Sequence, residues 1–258
     1  MSFNQTKALT KKVGLYRLAR WVNRQIFDRE ELTRRRADEA FYRKVLKPGD
    51  LAFDVGANYG EKAAAMLAAE ARVIAYEPQP DCMAELRDRI GPHPQLTVLG
   101  EAVGAAEGEA KLYVRRQRGT SGLVQQWEGD VEGEITVKVT TLKQAVRRYG
   151  LPTFVKIDVE GFELQVLQGL GQPVPLVSFE YHMREDSIAQ AVEYVRFLRG
   201  LGPVSVNFSP AEELHFMLPE WLPGERFEQV FPHEIQRLPG CEGYGDVFVK
   251  MVAGTGQG

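Results

Sequence analysis

The stretch from Leu51 to Pro78, which reads LAFDVGANYGEKAAAMLAAEARVIAYEP, decides the fold class. It contains a short apolar run (51–55), a glycine turn (56–60), an alanine-rich segment (61–71) and a second apolar run (72–76) that ends in an acid. Short apolar runs bounded by turn residues are typical of buried strands, and an alanine-rich segment between them favours a helix. The pattern predicts a strand–turn–helix–strand unit of the kind that binds nucleotides.

The residue types in the glycine turn favour a bound ligand. Gly56 and Gly60 have no Cβ, so the backbone can turn sharply and approach a ligand closely, and Asn58 tolerates a left-handed conformation. The turn leads into a helix N-terminus, whose free N–H groups favour anionic ligand groups. Glu77 ends the second strand, where a carboxylate can accept hydrogen bonds from both hydroxyls of a ribose.

The turn differs from the dinucleotide fingerprint. That fingerprint needs three glycines as G-x-G-x-x-G, whereas this chain has G-x-N-x-G and an acid, Asp54, inside the preceding strand. A carboxylate suits a cationic ligand better than a pyrophosphate. S-adenosylmethionine (SAM) carries an ammonium, a sulfonium and a ribose but no phosphate, so SAM is the expected ligand. A glycine turn with no ligand is the alternative.

The bulk composition is that of an ordinary globular protein. The chain has 258 residues, of which 44% are apolar and 26% charged, and it contains no run of 18 apolar residues. The N-terminus shows no secretory signal pattern, so a cytoplasmic location is expected. Cys82 and Cys241 have no metal-type spacing, and we expect them to be reduced thiols.

The net charge of −3 hides an uneven distribution. Residues 1–36 carry ten Lys or Arg and three acids, and the rest of the chain is acidic, which disfavours a nucleic-acid substrate. Residues 7–40 show helical periodicity, and residues 1–44 are predicted to form a helical extension. Either this extension packs on the main domain, or residues 7–36 contact a membrane surface or a protein partner.

Residues 45–258 are predicted to form one α/β domain. Strands alternate with helices along this region, which indicates a mostly parallel sheet with helices on both faces. Two half-buried strands, 109–114 and 134–140, flank a polar loop around Ser121. Prolines interrupt the alternation of strands and helices over residues 210–240. These residues are predicted to be either a segment that covers the substrate or a structured surface loop.

A second group of polar residues follows two later strands. Lys156-Ile157-Asp158-Val159-Glu160-Gly161 ends one strand and Glu180-Tyr181-His182 ends another, and ligands bind beyond the carboxyl ends of strands in such sheets. His182 is the candidate base, because histidine titrates near neutrality, with Glu180 or Asp158 orienting it. A structural ion-pair network is the alternative. These side chains offer oxygen and nitrogen ligands that suit a divalent metal, but no ligand spacing requires one, so no metal ligands are assigned.

Several motifs together resemble the FkbM family of SAM-dependent methyltransferases. The resemblance runs from about residue 45 to 251. It rests on DVGANYG at 54–60, YEP at 76–78, KIDVEGFE at 156–163 and, less strongly, on AVG at 102–104, TSGL at 120–123, VTTL at 139–142 and GDV at 245–247. Lys143 departs from the pattern, since the family often has an Asp there.

The resemblance implies a Rossmann-like class I methyltransferase fold, with a seven-stranded, mostly parallel sheet whose last strand is antiparallel. It implies that SAM is held at its methionine end by Asp54, Gly56, Asn58 and Gly60, at its ribose by Glu77 and beside its adenine by Glu101 and Ala102. Asp158 and Glu160 would lie near the transferred methyl group, which gives Asp158 a place in both the cofactor and the catalytic set. The implied reaction is O-methylation of a hydroxyl on a sugar, a glycan or a secondary metabolite.

Two other functions stay open from the sequence. One is a nicotinamide-dependent oxidoreductase on a Rossmann sheet, against which the missing third glycine counts. The other is a non-catalytic protein with a methyltransferase-like fold that binds partners through its N-terminal residues.

Overall fold

The computed structural model describes residues 31–115, 131–210, 214–234 and 243–251. The chain divides into two compact units, residues 1–37 and residues 38–258. Most of the predicted contact region, residues 7–36, lies outside the described residues, as does the polar loop around Ser121. The predicted division at residues 44 and 45 stays a prediction.

The described strands and helices alternate along most of the chain. In chain order the strands are β1 (Leu51–Val55), β2 (Arg72–Tyr76), β3 (Leu96–Leu99), β4 (Glu101–Val103), β5 (Gly108–Arg115), β6 (Val131–Thr140), β7 (Phe154–Ile157), β8 (Leu176–His182), β9 (Val204–Pro210), β10 (Leu222–Pro223) and β11 (Tyr244–Met251). The helices are α1 (31–45), α2 (Glu61–Ala68), α3 (Pro80–Ile90), α4 (Leu142–Tyr149), α5 (Glu163–Gln168), α6 (Glu185–Arg199) and α7 (Gly224–Glu234).

The main sheet has the strand order β10-β9-β11-β8-β7-β1-β2-β3. Five neighbouring strands of this sheet, β8, β7, β1, β2 and β3, are parallel to one another. Strand β11 runs antiparallel to both of its neighbours, β8 and β9. The predicted mostly parallel sheet and its antiparallel last strand are therefore confirmed. The sheet has eight strands rather than seven, because β10 adds a two-residue strand beside β9, with Leu222 opposite Val206.

Two apolar layers cover the faces of this sheet. Strands β1 and β7 are buried along almost their whole length, as expected for parallel strands with helices on both sides. One layer includes α4, α5, α6 and α7, and the other includes α2 and the last two turns of α1. Small residues of α2, such as Ala63 and Ala65, are buried, so this helix packs closely on the sheet.

A second, three-stranded sheet has the order β4-β6-β5. Strands β5 and β6 are the two strands that period-two alternation predicts around the polar loop. One face of this small sheet buries Ala102, Leu112 and Val137. The sheet follows directly from β3 through β4, so it lies near the carboxyl end of the main sheet.

The described part of the proline-rich region, residues 214–234, packs against the main sheet at several places. The ring of Phe216 lies 5.3 Å from that of Phe248, and Lys250 lies 3.8 Å above the ring of Trp221. In α7, Phe231 packs 5.3 Å from Tyr181. These contacts show a structured segment, and its predicted role as a substrate cover stays a prediction. Among the described helices, none is both long and apolar enough to cross a membrane.

Candidate cofactor and acceptor site

The glycine turn after β1 adopts the conformation that its residue types predict. Gly56, Asn58 and Gly60 all have positive φ, at +81°, +48° and +80°. The N–H groups of Gly56 and Ala57 both donate to the carbonyl of Tyr76 at 2.9 and 3.0 Å, which fastens the turn to the end of β2. A Cβ on Gly56 would lie 1.8 Å from the carbonyl oxygen of Asp158, so the turn also packs tightly against the end of β7.

Glu77, the acid after β2, is buried and held in a single orientation. One carboxylate oxygen accepts the N–H of Asn58 and the other accepts the N–H of Gln79, both at 2.8 Å. Burial raises the pKa of Glu77, and these two backbone hydrogen bonds oppose the increase. Each carboxylate oxygen has further lone-pair capacity, so Glu77 can still accept hydrogen bonds from a ligand.

A cleft opens beside Glu77 and extends along the carboxyl ends of β1, β2, β7 and β8. Its walls combine acidic side chains with apolar groups from the small sheet and from the start of α5. It is lined by Val55, Gly56, Asn58, Tyr76, Glu77, Pro78, Gln79, Cys82, Glu101, Ala102, Val103, Leu112, Asp158, Val159, Glu160, Phe162 and Glu180. A concave surface that combines apolar groups with converging polar groups is typical of small-molecule sites, and this cleft is unusually acidic.

The cleft contains most of the predicted cofactor residues. Gly56, Asn58, Glu77, Glu101, Ala102 and Asp158 all line it. Asp54 and Gly60 are not among the lining residues: Gly60 packs against Leu86 of α3, and Asp54 lies inside β1 next to Lys156 of β7. Their proposed contact with SAM stays a prediction.

Asp54 is a buried carboxylate with unusual surroundings. It is 1% exposed, and within the described part of the chain neither carboxylate oxygen has a partner with full hydrogen-bond geometry, although the N–H of Ala63 lies close enough to act on it. Burial raises the pKa of Asp54 to about 6, although the positive charges of Lys156 and Lys62 and the backbone N–H of Ala63 act in the opposite direction. A carboxylate buried without partners is costly, so it indicates either a neutral, protonated acid or a partner supplied by a ligand.

Lys156 stands at the centre of a buried group of charges. Its Nζ lies 2.8 Å from an Asp158 carboxylate oxygen, and only 3% of the residue is exposed. Burial acts to lower the pKa of Lys156, but Asp158, Asp246 and Asp54 together outweigh burial and raise it. Lys156 and Asp158 therefore form an ion pair, which agrees with the ion-pair network that the sequence analysis gave as an alternative to a site. It does not exclude a site, because Asp158 also lines the cleft.

Sequence reasoning missed part of this charged group. Asp38 of α1 accepts a hydrogen bond from Lys62 of α2 at 2.8 Å, and the charge of Lys62 acts on both Asp54 and Asp246. Asp38 precedes the region of family resemblance, and no local motif distinguishes Asp38 or Lys62. Their proximity arises only because α1 and α2 pack on the same face of the sheet.

Two of the three predicted catalytic residues line the cleft. Asp158 and Glu180 line the cleft, whereas His182 lies just outside it, with Nε2 3.2 Å from a Glu180 oxygen and about half of its side chain exposed. The hydrogen bond that His182 donates to the Glu180 carboxylate raises the pKa of His182, and burial opposes this increase only in part. The roles of these residues stay predictions.

Glu160 lies between these groups and has two distinctive properties. Its backbone φ is +53°, which is uncommon for a residue with a side chain. Burial, reinforced by the charges of Asp158 and Glu180, raises the pKa of Glu160 to about 7, and His182 opposes that increase. Within the described residues, no group of three or more His, Cys, Asp or Glu side chains has the geometry of a metal site.

The strand order, the antiparallel last strand and the cleft at the carboxyl ends of the strands define a class I methyltransferase fold. Residues 54–215, more than half of the chain, match the family model described as the methyltransferase FkbM domain. The chain therefore belongs to the FkbM family of SAM-dependent methyltransferases, which confirms the family predicted from its motifs.

One curated relative is the hexuronic acid methyltransferase AglP of Haloferax volcanii, which is 27% identical over 164 residues. The match covers 62% of this chain and spans 63% of the length of AglP. Among solved structures, the chain is similar to a precorrin-6y C5,15-methyltransferase from Geobacter metallireducens, with 12% identity, 84% and 86% of the two chains covered and a TM-score of 0.45. A SAM-dependent O-methyltransferase from Thermotoga maritima matches with 13% identity, 85% and 66% coverage and a TM-score of 0.43.

Proposed function

We propose that this protein transfers a methyl group from SAM to a hydroxyl group, most simply one on a sugar or glycan, with a secondary metabolite as the other acceptor class. The observation that carries the proposal is the arrangement of the cleft. Glu77 is fixed by two backbone N–H groups, and Asp158, Glu160 and Glu180 line the same cleft. An oriented acceptor for ribose hydroxyls thus shares a cleft with acidic side chains, one of which, Glu180, contacts His182, and this supports a nucleoside cofactor beside a hydroxyl acceptor.

The residues of the cleft fit SAM. Glu77 would accept hydrogen bonds from the ribose hydroxyls, because its two oxygens are already oriented by Asn58 and Gln79. Ala102, Leu112 and Phe162 offer apolar surface for the adenine. Asp158 would face the positively charged methionine end, where a carboxylate stabilises an ammonium or a sulfonium. The turn at Gly56 brings the backbone close enough to contact the same end.

SAM, when bound, supplies a methyl group on sulfur; the acceptor oxygen forms the new C–O bond while the C–S bond breaks and its electron pair stays on sulfur. The protein must align that oxygen with the methyl group and keep water out. The hydroxyl proton passes to His182. Because Nε2 of His182 faces Glu180, its Nδ1 is the nitrogen available to accept the proton, and the Glu180 carboxylate stabilises the resulting cation.

The acidic pocket favours a hydroxyl acceptor over a carboxylate. Asp158, Glu160 and Glu180 would repel a second carboxylate placed among them. AglP is named for a hexuronic acid, which carries hydroxyls as well as a carboxylate. If this chain takes such a sugar, its carboxylate lies outside the pocket.

Calorimetry with SAM, S-adenosylhomocysteine (SAH) and NAD tests the cofactor. We expect both SAM and SAH to bind and NAD to show no heat of binding. Loss of a charged acceptor of hydrogen bonds costs about 1.5–3 kcal/mol, so Glu77→Ala should weaken SAH at least about tenfold. Binding of NAD in preference to SAH would instead support the oxidoreductase, and full SAH affinity in Glu77→Ala would remove the ribose assignment.

The acceptor is tested with radiolabelled SAM on a panel of neutral glycosides, hexuronosides and their methyl esters. His182→Ala should lower turnover by about 100-fold while leaving SAH affinity unchanged, because a positioned base contributes about that much. His233→Ala is the matched control, since His233 lies in α7 and not at the cleft. Normal turnover in His182→Ala would exclude it as the base. SAH binding with no methylated product from any acceptor would favour a non-catalytic binding protein.

A further inference from the structure

The turn between β7 and α5 has a backbone geometry that needs external support. Glu160 and Gly161 both have positive φ, at +53° and +93°. A non-glycine residue in this region is strained and persists only where the surrounding structure holds it. The turn carries Asp158 and Glu160, two of the acids that line the cleft. Whatever holds the turn therefore places both acids.

Glu163, the first residue of α5, makes the contacts that hold this turn. One of its carboxylate oxygens accepts the N–H of Val159 at 3.2 Å and the N–H of Gly161 at 3.1 Å. These two N–H groups belong to the 158–159 and 160–161 peptide units, so a single carboxylate oxygen holds the turn on both sides of the peptide unit between Val159 and Glu160. Glu163 is 6% exposed and is not among the residues that line the cleft.

Tyr194 of α6 anchors Glu163 in turn. Its hydroxyl donates to the second carboxylate oxygen of Glu163 at 3.4 Å, and its ring packs 5.2 Å from that of Phe179 in β8. On the opposite side, the tight approach of Gly56 to the Asp158 carbonyl limits movement of the turn towards β1. The turn is thus held between the glycine turn and the Glu163–Tyr194 pair.

We propose that Glu163, oriented by Tyr194, is a positioning residue that holds the 158–162 turn and so directs the carboxylates of Asp158 and Glu160 into the cleft. An apolar side chain at this position would leave the N–H groups of Val159 and Gly161 without their acceptor, so the carboxylate is what holds the turn. Burial raises the pKa of Glu163, and the N–H groups of Glu163 itself, Gly161 and Val159 oppose the increase, which shows that the turn stabilises its charge. The placement itself is independent of the reaction; its effect on turnover rests on the proposed function.

The test compares two uncharged replacements of Glu163. Glu163→Gln retains an oxygen that can accept both N–H groups, whereas Glu163→Leu retains none, and both remove the same charge. The readout is the titration of Glu160, followed by carboxyl NMR in selectively labelled protein. The charged groups that act on the pKa of Glu160 are Asp158, Glu180, His182 and Glu163. Because Glu163→Gln removes the charge of Glu163 but keeps an acceptor oxygen, it shows how much of any shift comes from that charge alone.

In Glu163→Gln we expect the titration midpoint of Glu160 and the SAH affinity to stay close to those of the wild type. In Glu163→Leu, the released turn should expose Glu160, so its midpoint should fall from about 7 towards the ordinary range of glutamate, and SAH affinity should fall at least about tenfold. If Glu163→Gln and Glu163→Leu show the same titration midpoint for Glu160 and the same SAH affinity, the proposal is overturned. Neither readout requires turnover, so a failed methylation assay leaves this result intact.

Hydrogen exchange provides a second measurement if Glu163→Leu does not fold. Tyr194→Phe removes only the hydroxyl that anchors Glu163. The amides of Val159 and Gly161 should be protected in the wild type and exchange faster in this variant, while that of Val155 in β7 should be unchanged. If these two amides are unprotected in the wild type, or if their exchange is unchanged in Tyr194→Phe, then Glu163 and Tyr194 do not hold the 158–162 turn.

Discussion

Replacing Gly56 by alanine should damage both stability and cofactor binding, and the structure separates the two causes. At φ +81° an alanine is strained, which costs roughly 1–2 kcal/mol. Its Cβ would also lie 1.8 Å from the Asp158 carbonyl oxygen, whereas real Cβ contacts are essentially never below 3.0 Å. The two backbone segments must therefore separate by more than 1 Å, and overpacking of this kind adds about 1–3 kcal/mol.

Gly49→Ala is the matched control for this substitution. Gly49 has nearly the same φ, +86°, but a Cβ added there would meet no atom within 4 Å. The only destabilising effect expected of Gly49→Ala is therefore backbone strain. In urea unfolding we expect Gly49→Ala to lose about 1–2 kcal/mol and Gly56→Ala about 2–5 kcal/mol.

The two variants should differ more clearly in cofactor binding. The clash at Gly56 displaces the carbonyl of Asp158 and hence the acids that follow it, so SAH affinity measured by calorimetry should fall at least about tenfold, which is about 1.4 kcal/mol. Gly49→Ala should bind SAH as the wild type does. If the two variants lose equal stability and both keep full affinity, the tight packing of the glycine turn against β7 has no role in the site.

Two further predictions concern protonation. The proposed base, His182, must be neutral to accept a proton, so activity should rise with pH through the pKa of His182. The Glu180 carboxylate raises that pKa. Glu180→Gln should therefore move the rising part of the pH–rate profile to lower pH, measured at saturating SAM. If the rising part does not move, another group controls it. The folded protein holds the pKa of Asp54 at about 6 rather than 3.8, so it binds the proton more tightly than the unfolded chain does; the resulting loss of stability develops as the pH rises from 3.8 and is complete above about pH 6. Asp54→Asn should therefore gain up to about 3 kcal/mol in urea unfolding at pH 7.5, and this gain should shrink at pH 5; an equal gain at both values would contradict the shift.

The local features of the cofactor site follow from the sequence because they depend on neighbouring residues. Gly56, Asn58 and Gly60 predict a left-handed turn from their residue types alone, and the structure shows positive φ at all three. Glu77 follows the second apolar run, so its place at the end of β2 depends only on the strand boundary. Its two backbone hydrogen bonds need the turn and the strand together, and both lie within the same local unit.

Contacts between distant segments could not be predicted in this way. Leu112 alternates with polar residues in β5, which predicts a buried side chain but not that the small sheet brings it to the cleft. The eighth strand, β10, is only two residues long and includes a proline, so periodicity offers no signal for it.

The sequence by itself determined the fold class, the family and the order of the cofactor motifs, because strand periodicity, turn residues and short motifs are local properties of the chain. The tertiary structure decided which charges meet. It paired Lys62 of α2 with Asp38 of α1, left Asp54 out of the lining of the cleft, and joined Glu163 to Tyr194 across 31 residues. Such pairings depend on how helices dock on the sheet, and that docking is driven by apolar burial, which does not specify in advance which polar groups come into contact.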